Sequence, residues 1–341
     1  MLDIAEHYAD EEGAEKFDCG AYKWMLCRQF LQLLEDTGGL PRALQYLFGQ
    51  CFRAASKGTF FRDITKHDFN AIYASTKHEL DKRYKIRDAI DENKQLALRL
   101  LHYSINGIPV QRLDKMDPDD PKVTVESLER DTHIILVPHE SAFVIKMPLF
   151  FISIYNDRLH ILNRKLGEQL LVQHDMYWQE WELFVAYYEA FRNNLLIDLG
   201  RDKVKLSEVY PGAYGSSTTL SLEVKLQRLS VCQSQERFPC AKLTERSTRE
   251  TISWNEGKAV IVNGAGASWG DSFVVRRTTK NERLLIIHQD KYDYQSEEYS
   301  TEELSKEHKK NLETSTKAID DGFQDLKSYR HITVLFTTQP F

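Results

Sequence analysis

Asp271, Gln289 and Lys291 form a set that can support metal-assisted attack on a phosphate ester. The carboxylate of Asp271 suits a hard divalent cation, which takes oxygen ligands. A cation held there polarises the phosphate and lowers the pKa of a bound water. The amide oxygen of Gln289 can position water or metal. The amine of Lys291 can prime the nucleophile and offset developing phosphoryl charge. Taken as three isolated residues, the set has an equally simple meaning: an aspartate capping a turn and a lysine at a strand end.

The flanking residues supply elements that would bring the three together. Val274 and Val275, then residues 284–287, are short apolar runs separated by the polar turn Thr278-Thr279-Lys280-Asn281-Glu282, the pattern of two paired strands. Side chains alternate along a strand, so Gln289 and Lys291 share one side and Asp290 takes the other. Asp271 opens the first strand, and antiparallel pairing returns the Gln-x-Lys end to it. Before Asp271 lie the strand 258–262 and N-G-A-G-A-S-W-G. No helix with Lys-Ser/Thr follows these glycines, so they read as a flexible turn rather than a phosphate loop. Residues 173–196 form a long aromatic-rich helix, with Trp178, Trp181, Val185, Tyr188 and Leu195 able to line a buried side and Glu182 beside them. A carboxylate on such a face needs a partner.

A second Glu-x-Lys, Glu223 and Lys225 with Asp198 upstream, lies in the alternating run 219–231, expected as one strand. There the two polar residues simply occupy the wet face, and Asp198 follows a helix, so this set ranks below the first. Residues 234–256 are polar and read as an insertion or loop. After Lys291 come a helix capped at Ser300 or Thr301 and a last strand, H-I-T-V-L-F-T-T.

The 341 residues, 42% hydrophobic and 28% charged, suffice for two domains. No apolar run reaches transmembrane length, the acidic start is no secretory signal, and no membrane partner is expected. The five cysteines (19, 27, 51, 232, 240) lack zinc or disulfide-framework spacing and are expected as buried thiols. A net charge of −6 excludes a globally basic nucleic-acid binder and leaves room only for a local basic cleft.

The N-terminal region reads as helical. Trp24, Leu26, Phe30, Leu31, Leu33 and Leu34 make an apolar stripe, Gly38-Gly39 stop it, and Pro41 starts a second helix. Charged amphipathic helices follow over 62–105. Their cations Lys77, Lys82, Arg83 and Lys85 are interspersed with acids, as on a solvated face. A short helix at 123–131 and two strands, I-I-L-V-P and F-V-I-K-M-P, complete a winged-helix-like arrangement at roughly 55–160, taken as a packing or protein-contact unit.

Asp271 with Gln289-x-Lys291 resembles the PD-(D/E)xK nuclease signature, with Gln in the Glu position. The element order from residue 174, αβββαβ, resembles the restriction-endonuclease-like core. Gly-Gly-Leu-Pro-Arg (38–42) resembles the end of a STAND-type P-loop ATPase module, but the chain has no G-x-x-x-x-G-K-[ST] and no ATPase activity of its own is expected. With Met-Pro-Leu-Phe (147–150) and Trp-Glu-Leu-Phe-Val-Ala (181–186), the chain from about residue 25 onward is similar to the C-terminal two-thirds of Crinkler effectors and of retrotransposon hot-spot proteins. Relative to these families it lacks the nucleotide-binding half and the ubiquitin-like header with its translocation motif, as a truncated or degenerate copy would.

The resemblance implies an α+β or α/β chain: residues 1–165 as a helical ATPase remnant with a winged-helix-like subdomain, and 166–341 as the nuclease-like domain. It implies a secreted effector acting in the host-cell nucleus, or otherwise a cytoplasmic protein, that cleaves or nicks DNA with Mg²⁺ or Mn²⁺. Asp271, Glu182, Gln289 and Lys291 would form the site, with Asp271 and Glu182 as metal ligands and a backbone carbonyl near Asp290 as another. Arg276, Arg277, Lys306, Lys309 and Lys310 are candidates for phosphate contacts, each also readable as an ordinary surface charge. The alternative is an inactive nuclease-fold effector that binds a host nuclear protein or DNA, using aromatic surfaces at 177–191 and at Tyr292, Tyr294 and Tyr299. A homo-oligomer is compatible with either. A regulatory ATPase fragment is opposed by the missing P-loop.

Overall fold

The computed structural model describes residues 27–55, 57–131, 134–162, 178–291 and 301–337. Trp24, Leu26, Tyr292, Tyr294 and Tyr299, and the side chain of Trp178, lie outside the described set. The chain is a mixture of helices and mixed β-sheet, divided into two compact units: residues up to 160, and residues from 178 on together with 161 and 162.

The first unit carries α1 (Arg28–Asp36), α2 (Pro41–Ala54), α3 (Lys57–Arg62), α4 (Phe69–Tyr84), α5 (Ile86–Glu92), α6 (Lys94–Asn106), β1 (Pro109–Val110), α7 (Val125–Asp131), β2 (Ile135–His139), β3 (Ala142–Lys146) and α8 (Leu149–Leu159). Gly38 and Gly39 end α1 at φ +60° and +74°, where a side chain would strain the backbone, and Pro41 occupies the first turn of α2. Arg42 is exposed. Phe30 packs edge-on against Phe48, Phe60 and Phe61 to build the helical core. The hairpin β2–β3 is joined by β1, giving a three-stranded antiparallel sheet in the order β1-β3-β2. Lys77 departs from the solvated face expected of it: its ammonium is partly buried against Asp157 (2.5 Å) and the Ser153 hydroxyl (2.8 Å). Helix α8 is buried almost all round, so its sequence has no 3.6-residue period to reveal it.

The second unit carries α9 (Trp178–Asp198), β4 (Lys203–Lys205), β5 (Glu223–Lys225), β6 (Ser230–Gln233), β7 (Ala259–Val262), β8 (Ser272–Thr278), β9 (Arg283–Lys291), α10 (Thr301–Asp320) and β10 (Tyr329–Thr337). These strands form one mixed sheet in the order β10-β9-β8-β5-β4, with β7 pairing the start of β8 and β6 pairing β7. β8 and β9 are antiparallel, and β9 passes through α10 to a parallel β10. The run 219–231 is not one strand. It opens with the helical turn Ser217–Leu220, pairs as β5 with β4 and the far end of β8, then restarts as β6 beside β7. Two separate edges are served by one alternating stretch, which local pattern cannot distinguish from a single long strand.

Residues 234–256 are not a peripheral loop either. They contribute Phe238, Leu243, Ile252 and Trp254 to a core with Trp269, Phe273, Val275, Leu285, Ile287, Leu326 and Tyr329. Asn263 fixes this segment, its side chain accepting from Phe238 N–H (2.7 Å) and donating to the Gly270 carbonyl (3.0 Å). Gly264 and Gly270 of the N-G-A-G-A-S-W-G loop are needed for close packing, in contrast to the flexible turn expected. A Cβ at Gly264 would sit 2.5 Å from the Glu236 carbonyl oxygen, and one at Gly270 would sit 2.2 Å from Ile287 Cγ2. Trp269, almost wholly buried, donates its indole N–H to Ser315 of α10 at 3.0 Å.

Candidate active site

Asp271 immediately precedes β8, and its backbone N–H donates to the His288 carbonyl at 2.9 Å, extending the β8–β9 ladder by one residue. This pairing brings Gln289 to the aspartate: the amide nitrogen donates to Asp271 Oδ2 at 2.6 Å, and the Asp290 backbone N–H reaches the same oxygen at 2.7 Å. Packing of Gly270 against β9 holds the approach close. The side chain of Gln289 is buried, and its Oε1 has no hydrogen-bond partner among the described residues.

Lys291 lies two residues on and bonds Glu307 of α10 at 2.9 Å; Lys310 bonds the other oxygen of that carboxylate at 2.6 Å. Burial raises the Glu307 pKa, but the hydrogen bonds from Lys310 and Lys291 outweigh it and hold the carboxyl below its usual range. Glu307 was not visible as a partner from sequence, since E-H-K-K on a helix reads as an exposed charged face.

Glu182 of α9 is buried and close enough to Asp271 for the two charges to interact. Burial first, then Asp271, pushes its carboxyl up to about 8. Asp271 is itself raised by burial, opposed by the Asp290 N–H and by the charges of Lys291 and Lys310. Asp290 completes the group. The residue is partly exposed, but both carboxyl oxygens are buried and have no hydrogen-bond partner among the described residues. Burial, then Asp271 and Glu182, holds this carboxyl well above the usual range.

The expected phosphate contacts separate into different environments. Arg276 is fully buried and not available to a surface phosphate: it bonds Glu189 of α9 at 2.5 Å and Asn193 at 2.7 Å. Tyr210 donates to the same Glu189 oxygen at 2.9 Å, and Ser272 and Tyr210 flank the ring of His288 at 3.0 and 3.4 Å. The apolar strand environment that hid this network also determines it, because a buried guanidinium must be paired. Arg277 sits at the opposite end of β8 from Asp271, partly exposed. Lys309 is exposed and 3.8 Å from Glu313, Lys306 is exposed, and Lys310 adjoins the Lys291–Glu307 pair. The competing Glu223-x-Lys225 set is dispersed, with Asp198 paired to Arg228 at 2.7 Å and Lys225 bonded to Asn281 at 3.1 Å.

Among the described residues, no three His, Cys, Asp or Glu side chains form a ready metal cage. Gln289 Oε1 and both carboxyl oxygens of Asp290 are buried without a hydrogen-bond partner among the described residues. No described helix is long and apolar enough to cross a membrane. No protein-family profile, curated protein or solved structure matches the chain.

Proposed function

We propose that the chain is a divalent-metal-dependent nuclease acting on DNA, of the PD-(D/E)xK type and related to Crinkler effectors, with a host nucleus as its place of action. The observation that carries this reading is the convergence of Asp271, Gln289, Glu182 and the Lys291–Glu307 pair at one end of the β8–β9 hairpin. The β8–β9–α10–β10 order supports a restriction-endonuclease-like core.

Asp271 and Glu182 would hold Mg²⁺ or Mn²⁺. When bound, the ion supplies Lewis-acid polarisation of the phosphate and a more acidic water. Gln289 orients Asp271 by donating to one of its oxygens, leaving the other for a ligand. Glu307 holds the Lys291 ammonium beside the acids, where its charge offsets that of the phosphoryl group in the transition state. Lys310, with Lys306 and Lys309 on the same helix, supplies the cations that a phosphate backbone requires despite the acidic net charge. Purified protein with Mg²⁺ or Mn²⁺ is expected to nick supercoiled plasmid, and Asp271→Ala is expected to lose that activity. Equal nicking by both proteins removes the assignment.

A second reading has its own support. Asp271 Oδ2 already accepts two hydrogen bonds and Lys291 is already ion-paired, an arrangement an inert scaffold would also hold stably. In that case the chain binds a host nuclear protein or DNA without cutting, and divalent ions leave its melting temperature unchanged.

A further inference from the structure

We infer that a cleft beside the C-terminal half of α10 is a binding site for a nucleoside monophosphate. It is separate from the acids at the β8–β9 hairpin and does not depend on the nuclease reading. The cleft has a volume of about 620 Å³, within the range of small-molecule sites. Three segments of the second unit wall it: the early part of the stretch 234–256, the loop before Asp271, and α10 from Thr314 to just past its end.

The cations lining the cleft lack counter-ions. Arg237 donates its Nε–H to the Ala265 carbonyl at 2.9 Å, which holds the guanidinium against the loop. The fit is close, since a Cβ at Gly266 would stand 3.3 Å from Nη2. Arg237 and Lys317 are both exposed, and neither pairs with a carboxylate among the described residues. Ser268 adds an exposed hydroxyl. Two cations and a hydroxyl suit a phosphate, and a guanidinium offers its oxygens paired donors. Asp321 lies one turn beyond Lys317, about 6 Å along the helix, and its N–H bonds the Lys317 carbonyl at 2.9 Å. Its carboxylate does not pair with Lys317. An ionised carboxylate only accepts hydrogen bonds, so beside a phosphate it fits the hydroxyls of a sugar.

The floor of the cleft is apolar. Phe238 is buried beneath it, and the half-buried Phe323 meets Phe238 edge-on with ring centroids 5.8 Å apart; Pro239 and Ala318 flank them. The accessible part of Phe323 gives a flat base a surface to stack on. Free phosphate would leave this floor wet, and an apolar ligand would leave both cations unmatched. A base, a hydroxylated sugar and one phosphate together satisfy all three parts.

Calorimetric titration of AMP into the whole chain, in chelator and at low salt, tests the assignment without the metal site. Wild type is expected to bind one equivalent, and inorganic phosphate or adenosine alone on the order of tenfold more weakly. Arg237→Ala and Lys317→Ala should each weaken AMP binding on the order of tenfold. Lys258→Ala, which removes an exposed cation outside the cleft, should leave it unchanged. Asp321→Ala should abolish the preference for AMP over its 2′-deoxy analogue. The substituted side chains are exposed, so melting temperatures close to wild type are expected; should Arg237→Ala not fold, Lys317→Ala and Ala241→Trp, which fills the cleft, are read in its place. No AMP binding by wild type overturns the site, as does wild-type affinity in both Lys317→Ala and Ala241→Trp. Phosphate binding as tightly as AMP overturns the nucleoside class.

Discussion

The Gln289 amide donates to Asp271 Oδ2 across 2.6 Å, so Gln289 serves as a hydrogen-bond donor to its neighbour across the strand pair. A glutamate could not make that bond while ionised. On the proposed reading, the site therefore exchanges cation affinity for a well-held aspartate.

Gln289→Glu should reverse the exchange. Two carboxylates would then meet where a donor and an acceptor now meet, so the melting temperature in chelator should fall. With the added charge, Mn²⁺ affinity should rise on the order of tenfold. Calorimetry and thermal unfolding with and without Mn²⁺ check both directions; a variant stabilised in chelator contradicts the arrangement.

Glu182→Gln removes a buried acid that faces Asp271 and Asp290. The amide has nearly the same shape and no charge to desolvate, so the metal-free protein should melt higher than wild type. The same variant should lose the stabilisation that Mn²⁺ gives wild type. The check is a pair of thermal scans; a Glu182 that only packs would leave the metal response intact.

Arg276 distinguishes a structural cation from a DNA-binding one. Because its guanidinium and the Glu189 carboxylate are buried together, Arg276→Ala strands an unpaired charge and should cost roughly 3–5 kcal/mol in urea unfolding. Lys309→Ala, on an exposed cation, should change stability little and instead flatten the salt dependence of DNA binding. A stable Arg276→Ala with weakened DNA binding would reverse these roles.

Asp36 makes a separate prediction in the first unit. Burial, then Glu35, raises its carboxyl from 3.8 to about 8, and its Oδ2 has no partner among the described residues. Between about pH 4 and pH 8 the folded state keeps this proton while the unfolded chain has released it, so stability falls as pH rises through that window. Asp36→Asn should match wild type near pH 4 and exceed it increasingly toward pH 8. Urea midpoints across that range give the answer, and a pH-independent difference refutes it.

The site was legible where local chemistry sufficed. The valines, the polar turn and the apolar run 284–287 are enough to draw Asp271 and Gln289 together, because antiparallel pairing follows from a short turn. Glu182 showed itself as an acid on an apolar helix face. Residues that depend on partners far along the chain did not show. Glu307 becomes part of the site only because α10 returns across β9 and β10, and Arg276 becomes a core residue only because Glu189 lies opposite. The insertion 234–256 looked polar because its four core side chains are spread thinly among hydrophilic ones, and only the tertiary fold gathers them.

The central claim is that Lys291 and the acids near it act on a phosphate. The most direct measurement is the initial rate of Mg²⁺-dependent nicking of supercoiled plasmid by wild type and Lys291→Ala at equal folded concentration. Loss of one group stabilising transition-state charge predicts a fall of about 10²–10³-fold. Nicking at the wild-type rate by Lys291→Ala, or none by wild type, contradicts it.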